Sequence, residues 1–267
     1  MFLWVTTRHR QVGVGYGWLL RGTYAVLAAV GLVLGLRFRT VVGREIGLAG
    51  VIVGALVALA VSVQRRKAGV RGQNDEHDRR SERVAAMTGI DRASGGPRAV
   101  DRAEFPPVLD LVAPIFGVVG LVAAGLSSGG NPVLAVARTL AGAAFLGAVS
   151  DAMLLGHWYL VQPGLPRKHI VELVRWLAYT WPVEVGLLLV PTGMLSIFSG
   201  AIDDGWHGLM GWMWVACAVL TIGLCFVTRA ALREREYSAV MAATGLLYLA
   251  ILTAFGTDLV ARAVLAG

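Results

Sequence analysis

Long apolar segments, separated by short polar connections, constrain the fold of this sequence more than any other feature. Seven of them approach or exceed the roughly 20 residues that a helix needs to cross about 30 Å of hydrocarbon. They are residues 18–36, 46–63, 111–126, 132–161, 170–198, 208–228 and 237–265. Because no water reaches the bilayer core to bond free backbone groups, such segments fold as helices. The sequence therefore predicts an all-α, polytopic membrane protein with a bundle of about seven transmembrane helices.

The composition fits lipid better than water as the surrounding solvent. Hydrophobic residues make up 56% of the chain and charged residues only 15%, whereas a soluble domain carries about a quarter charged residues. The net charge of +7 would suit nucleic acid, but in so apolar a chain basic residues typically lie in cytoplasmic connections and contact headgroups. We expect the lipid bilayer as a partner, together with other membrane-complex subunits or a second copy of the chain, and no nucleic acid.

The distribution of lysine and arginine among the connections predicts the orientation. Ten of these residues lie between 65 and 104, and further ones follow the fourth and sixth segments, whereas 127–132 and 199–206 contain none. Basic connections stay in the cytoplasm. We therefore expect a cytoplasmic N-terminus and an outside C-terminus, in a bacterial inner (plasma) membrane. Arg37, Arg39 and Arg44 conflict with this topology, which places them outside. Either the first two segments form an atypical hairpin, or these arginines meet headgroups or a partner there.

The order of segments predicts four regions. Residues 1–17 form an N-terminal interfacial segment, 18–64 the first two transmembrane helices, 65–106 a charged cytoplasmic loop, and 107–267 transmembrane helices 3–7. The loop is too polar to bury a core and is expected to be an exposed linker or a docking segment for another subunit. A short surface helix starting at Ser81 is expected within it.

Two acidic residues lie deep in adjacent apolar segments. Asp151 belongs to the fourth segment and Glu184 to the fifth, and so short a connection joins the two that they should pack antiparallel. At 1.5 Å per residue, Asp151 lies roughly 15 Å and Glu184 roughly 22 Å from the cytoplasmic ends. An ionised carboxylate in hydrocarbon costs several kcal/mol unless it is paired. We interpret Asp151 and Glu184 as a candidate proton relay, with bonding between helices as the alternative.

A second polar group lies near the cytoplasmic ends of the same two segments. Its members are His157, Trp158, Tyr159, His169, Glu172 and Arg175. Two histidines at similar depth on adjacent helices are what two axial heme ligands require, and the same side chains could hydrogen-bond a quinone. The alternative is an aromatic belt at the headgroups, with Glu172 and Arg175 as an ordinary i,i+3 pair. Heme b or quinone is the resulting cofactor hypothesis, from His157, His169, Trp158, Tyr159 and Arg175.

Two further patterns involve charged residues near segment ends. Asp203, Asp204 and His207 have a spacing that could hold a metal, although a helix cap is the simpler explanation. Asp258 and Arg262 are four residues apart and predict a salt bridge that faces the bundle.

The functional hypotheses belong to three classes. The first is a membrane subunit of an electron-transfer or proton-translocating complex, with its site on the hairpin of the fourth and fifth segments. The second is an ion-coupled transporter or channel, in which Pro182 and Pro191 would break the fifth segment beside Glu184. The third is a non-catalytic structural or assembly subunit. No phosphate-binding loop, zinc-protease motif or nucleophile elbow occurs, so a subunit is favoured over a stand-alone enzyme.

Overall fold

A computed structural model describes residues 1–88, 103–162, 164–191 and 193–266, and all regular structure within these ranges is helical. The helices are α1 (Phe2–Thr7), α2 (Val14–Phe38), α3 (Val42–Gln64), α4 (Arg71–Thr88), α5 (Val112–Leu126), α6 (Pro132–Val161), α7 (Lys168–Leu189), α8 (Leu195–Phe198), α9 (Leu209–Ala231) and α10 (Tyr237–Ala266). Short 3-10 turns occur at Arg66–Ala68 and Pro107–Leu111.

Six helical segments in the described part of the chain are long and apolar enough to cross a bilayer. They are α2, α3, α6, α9, α10 and the continuous helical run Pro107–Leu126, which contains α5. Large apolar side chains on them are exposed, among them Leu27 (63%), Phe38 (80%) and Leu252 (70%). An exposed apolar surface of this extent requires lipid around it. The all-α, multi-pass membrane class is confirmed, with six candidate crossings among the described residues where the sequence predicts about seven.

Helix α7 belongs to a predicted transmembrane segment but is not among the six apolar helices. Its 22 residues correspond to about 33 Å, which is enough to cross hydrocarbon. However, it is less apolar than the other six, because it carries Lys168, Glu172, Arg175 and Glu184. Its length agrees with the predicted crossing, but its hydropathy does not.

The chain divides into two compact units. Unit 1 comprises Leu3–Gly120 together with Met1, and unit 2 comprises Leu121–Gly267 together with Phe2. In unit 1, α2 and α3 form a hairpin, and α3 packs tightly against the first part of α5. A Cβ atom on Gly47 would lie 2.5 Å from the Cα of Gly120, and one on Gly54 would lie 3.2 Å from the backbone nitrogen of Ala113. The small-residue face of α3 therefore lets two backbones approach.

The turn between α2 and α3 contains an acid that compensates the positive charge of Arg44, one of the three arginines that conflict with the predicted topology. Arg44 donates to the carboxylate of Glu45 over 2.7 Å and also to the backbone carbonyl of Arg39. Gly35 leaves the space for this pair, since a Cβ there would lie 2.6 Å from the Arg44 guanidinium. At least this positive charge is therefore neutralised within the hairpin itself.

Unit 2 is a four-helix bundle of α6, α7, α9 and α10. Helix α6 starts where predicted, because Asn131 accepts hydrogen bonds from the amides of Val133 (3.0 Å) and Leu134 (3.1 Å) and Pro132 occupies the first turn. At the other end of the bundle, Arg167 donates to the backbone carbonyls of 232 and 234–236. One guanidinium thus joins the α6–α7 connection to the α9–α10 connection.

The helix boundaries differ from the predicted segments in two places. The fifth segment, expected to run from 170 to 198, is divided into α7 and the four-residue α8. Pro191 explains the break, because it has no amide hydrogen and disfavours helical backbone at the residue before it. Pro182 does not end α7, which continues through it. Helix α4 is longer than the surface helix expected from Ser81, and the remainder of the charged loop, 89–102, lies outside the described residues.

Candidate functional site

Four charged side chains from three helices of unit 2 meet at one end of the bundle. Glu184 comes from α7, Asp258 and Arg262 from α10, and Arg138 from α6. We call this group the carboxyl cluster. Glu184 has no exposed surface and Asp258 is 3% exposed, so both acids are removed from solvent and from lipid. Groups of this kind are expensive in a bundle interior and are therefore expected to have a function.

Asp258 is held by the arginine one turn further along the same helix. The Nε of Arg262 lies 2.8 Å from each oxygen of the Asp258 carboxylate. This is the i,i+4 salt bridge that the sequence predicts, and the prediction is confirmed. Gly142 of α6 leaves room for it, because a Cβ at this position would contact the Arg262 guanidinium and would lie 2.5 Å from the Oδ1 of Asp258. The ion pair therefore requires the space that glycine leaves at position 142.

Arg138 joins the cluster through backbone contacts. Its Nε donates to the carbonyl of Leu187 over 3.0 Å, and its Nη2 donates to the carbonyl of Val190. These carbonyls lie at the C-terminus of α7, where the helix leaves its last acceptors without amide donors. Arg262 in turn donates to the Arg138 carbonyl over 3.2 Å. The two arginines thus connect α6, α7 and α10 around the acids.

Glu184 differs from the other three members because its carboxyl group is not satisfied. Among the described residues, no donor bonds either of its oxygens. The Asp258 carboxyl group lies close enough to interact with it, but an ionised carboxyl group is itself an acceptor. Two carboxyl groups can bond only if one of them carries a proton. The geometry therefore leaves a place for one proton between Glu184 and Asp258.

The predicted pairing of Asp151 with Glu184 is not what the bundle provides. Gly156 of α6 lies beside Ile170 of α7, which sets the antiparallel register of the two helices. On this register the levels of Asp151 and Glu184 differ by about nine residues, or about 14 Å along the bundle axis. Both acids are buried, Asp151 at 2% exposure, but the partner of Glu184 is Asp258. That partner comes from α10, outside the hairpin on which the prediction concentrated.

The residues predicted to bind heme or quinone are dispersed. His157 is exposed and its Nδ1 lies 3.3 Å from the Tyr248 hydroxyl, whereas His169 is buried at 1% exposure. The two imidazoles thus have different environments although their depths are similar, and the heme or quinone hypothesis stays a prediction. Tyr159 donates to the carbonyl of Pro166 over 2.6 Å, which stabilises the turn between α6 and α7.

Trp158 and Arg175 likewise do not converge on the histidines. The indole of Trp158 donates to Gln162 over 3.1 Å within the last turn of α6, and Arg175 is exposed.

Among the predicted metal ligands, Asp204 accepts hydrogen bonds at the start of α9. Asp204 accepts hydrogen bonds from the amides of Trp206 (3.0 Å), Gly208 (2.9 Å) and Met210 (3.0 Å). These bonds hold the pKa of Asp204 below its ordinary value. Asp203 accepts only from the amide of Gly205 over 2.9 Å, and no group of three metal-binding side chains occurs among the residues that the structure describes. Of the three residues, Asp204 is the one that accepts from an amide of α9, at Met210, and the metal hypothesis gains no support from this arrangement.

Unit 1 contains a buried ion pair that the sequence analysis missed. Arg21 of α2 binds Asp110 through two hydrogen bonds, of 2.7 and 2.9 Å, and their side chains are 3% and 1% exposed. The hydroxyl of Thr7 donates to the same carboxylate over 2.8 Å, and the guanidinium lies 4.1 Å over the ring of Phe105. The signal was present, because an arginine inside an apolar segment, as Arg21 is, requires a buried acceptor.

In the part of the chain that the structure describes, the fold is all-helical, its apolar helices define an integral membrane protein, and each unit buries an acid paired with an arginine. Comparison with known proteins gives no matching family model, no matching curated protein and no matching solved structure. The function is therefore inferred from the geometry of this chain alone.

Proposed function

We propose that this protein is a subunit of a proton-translocating or electron-transfer membrane complex, and that it takes up and releases a proton at Glu184. The observation that carries the proposal is the unsatisfied carboxyl group of Glu184 beside the carboxyl group of Asp258. A buried ionised carboxylate without donors costs several kcal/mol. A proton on Glu184 removes this cost, because its O–H can then donate to Asp258. Loss and gain of this proton is the chemistry that the site supports.

The positions of the arginines favour a proton over a metal cation. Arg262 already bonds both oxygens of Asp258, and Arg138 acts electrostatically on Glu184 as well. A metal ion would have to displace the guanidinium and would be repelled by two fixed positive charges. A proton needs only one free oxygen, and Glu184 offers two. This argument ranks proton transfer above the transport of a metal cation.

Infrared difference spectroscopy of the purified protein tests the proposal without knowledge of the partner subunits. We expect a protonated-carboxyl signal that responds to pH in the wild type and loses the Glu184 component in Glu184→Gln. Glu234→Gln is the matched control, because Glu234 is an exposed acid of the same unit and its loss should leave the signal unchanged. A signal in Glu184→Gln that equals the wild-type signal would refute the assignment, and so would the absence of any such signal in the wild type.

We also propose that α7 crosses the membrane with the six apolar helices, which gives seven crossings and a cytoplasmic N-terminus. Its length and its packing against α6 and α9 support this topology, and its polar residue Glu184 is shielded inside the bundle. Single cysteines introduced at Lys168 and Asp203, two exposed positions on either side of α7, with Cys217 and Cys225 replaced, should react with an impermeant maleimide from opposite sides. Reaction of both from one side would overturn the topology.

A further inference from the structure

Buried polar side chains in unit 2 continue well beyond the carboxyl cluster. Each of the following is less than 5% exposed and lies on one of the four helices of the bundle. They are Asp151 on α6, His169 on α7, Thr221 and Thr228 on α9, and Thr244 and Thr257 on α10. Two of them, Asp151 and His169, are ionisable, and such residues inside a membrane bundle are rare. Their levels along the bundle axis show how they are related to Glu184.

The helix registers place these groups at successive levels. Gly142 lies opposite Asp258 and Gly156 lies opposite Thr244, so α6 and α10 keep one antiparallel register along this length. Measured from the level of Asp258, Asp151 lies about 14 Å and Thr244 about 21 Å along the axis at 1.5 Å per residue.

Two other groups complete this series of levels. The hydroxyls of Thr221 and Thr253 bond each other over 2.8 Å between α9 and α10, about 8 Å from the level of Asp258. His169 precedes Ile170, the residue that faces Gly156, and therefore lies at nearly the level of Thr244. The polar levels are thus the carboxyl cluster, the threonine pair, Asp151, and finally Thr244 with His169.

The spacing between levels suits a chain of water molecules. Successive levels differ by about 6 to 8 Å along the axis, and hydrogen bonds near 2.8 Å allow one or two waters to bridge each interval. The threonine hydroxyls can take part, since a hydroxyl donates one hydrogen bond and accepts others. Thr244 and Thr221 also bond carbonyls of their own helices, at 2.9 and 2.8 Å, which makes packing the competing explanation for these two residues. Asp151 at an intermediate level and His169 at the far end add two ionisable side chains to this series.

We infer that unit 2 contains a proton path along its interior, from His169 through Asp151 and the Thr221–Thr253 pair to Glu184 and Asp258. The inference rests on the proposed function of Glu184 and extends it from one site to the whole bundle. Glu184 first releases its proton at its own end of the bundle. A proton then leaves the Asp151 carboxyl group and reaches the Glu184 carboxylate through hydroxyls and waters, each of which gives up one proton and receives one. Asp151 is then reprotonated from the His169 end. One positive charge moves per cycle, and no oxidant or reductant is needed.

Proton flux through the full-length chain in proteoliposomes tests the path. A pH-sensitive dye is enclosed, and a potassium gradient with valinomycin supplies the driving force. We expect flux in the wild type, and Asp151→Asn to lower it by about tenfold or more, in line with the loss of a general acid–base group. Asp151→Glu should restore part of the flux because it keeps a titratable group. Ser150→Ala, a change at the adjacent position of α6, is the matched control and should retain wild-type flux.

A second pair of variants separates the path from packing. Thr221→Ser keeps the hydroxyl and should retain flux, whereas Thr221→Val keeps the volume but removes the hydroxyl and should lower flux. Equal flux in Asp151→Asn and the wild type would overturn the path, as would the absence of wild-type flux. In both cases the infrared band of Glu184 would still report on the proposed function separately, so the failure of one is distinguishable from the failure of the other.

Discussion

The ion pair of unit 1 and the carboxyl cluster of unit 2 are both buried, but they differ in how completely their hydrogen bonds are satisfied. Asp110 receives two bonds from Arg21 and one from Thr7, and neither member of that pair has an unpaired buried atom in the described structure. Glu184 receives none. The comparison teaches that a buried charge alone does not identify a working site. An acceptor that lacks donors is the more informative sign, because protonation is then the simplest way to satisfy it.

The largest expected effect concerns the fully hydrogen-bonded ion pair of unit 1. Asp110→Ala leaves the Arg21 guanidinium buried without its acceptor, and we expect it to lower the free energy of unfolding by about 3–5 kcal/mol. Glu184→Gln should change the same quantity by less than about 1 kcal/mol, since a neutral amide can donate to Asp258. Denaturant unfolding in detergent measures both.

Replacement of both partners in unit 1 is the control for this prediction. Arg21→Leu combined with Asp110→Leu removes the two charges together and should recover most of the lost stability. If Asp110→Ala proves as mild as Glu184→Gln, the distinction between a satisfied and an unsatisfied cluster is wrong.

A second, intermediate effect concerns the space that Gly142 leaves. Gly142→Ala would place a methyl group against Arg262 and Asp258, and the displaced ion pair should cost about 1–3 kcal/mol. Gly186→Ala is the matched control on α7, because no atom outside its own helix lies within 4 Å of the added Cβ. It should be neutral or raise stability by up to about 1 kcal/mol. Equal effects of the two substitutions on the melting temperature would show that the cluster does not need this space.

The smallest expected effect concerns Asp204, a carboxylate that belongs neither to the ion pair of unit 1 nor to the carboxyl cluster. Because amide hydrogen bonds lower the folded-state pKa of Asp204, its contribution to stability is present above its unfolded pKa of about 3.9. That contribution is lost as the pH falls through the lower, folded-state pKa. Asp204→Asn should therefore reduce the melting temperature at pH 6 and show a smaller decrease than the wild type between pH 5 and pH 3. A parallel pH dependence in both proteins would contradict the cap.

The sequence determines most of the helices because bilayer crossing is a local requirement. The segment 132–161 coincides with α6, and the start of α10 at Tyr237 agrees with the predicted start. The break after Leu189 was less accessible, since proline both interrupts helices and is tolerated in them. Pro191 ends α7 whereas Pro182 lies within it, and only the neighbouring packing distinguishes the two.

The candidate site could be predicted only where its contacts are local. Asp258 and Arg262 lie one turn apart, and their salt bridge follows from helix geometry alone. The proximity of Glu184 to Asp258 depends instead on how α7 packs relative to α10, and α8 and α9 separate these two helices in the sequence. The same holds for Arg21 and Asp110, which are 89 residues apart. The hydropathy of the sequence predicts how deep in the membrane a residue lies, but it does not predict which helices are neighbours.

Arg138 fastens the C-terminus of α7 to a different helix. The carbonyls of Leu187 and Val190 would otherwise point into an apolar surrounding without donors, and a guanidinium supplies several permanently charged donors in one plane. Glu184 lies within one turn of this fastening, so its position depends on α6 rather than on the loop that follows α7. A sliding movement between α6 and α7 would have to break these two hydrogen bonds before Glu184 could move away from Asp258. The end of the bundle is therefore a rigid support for a mobile proton.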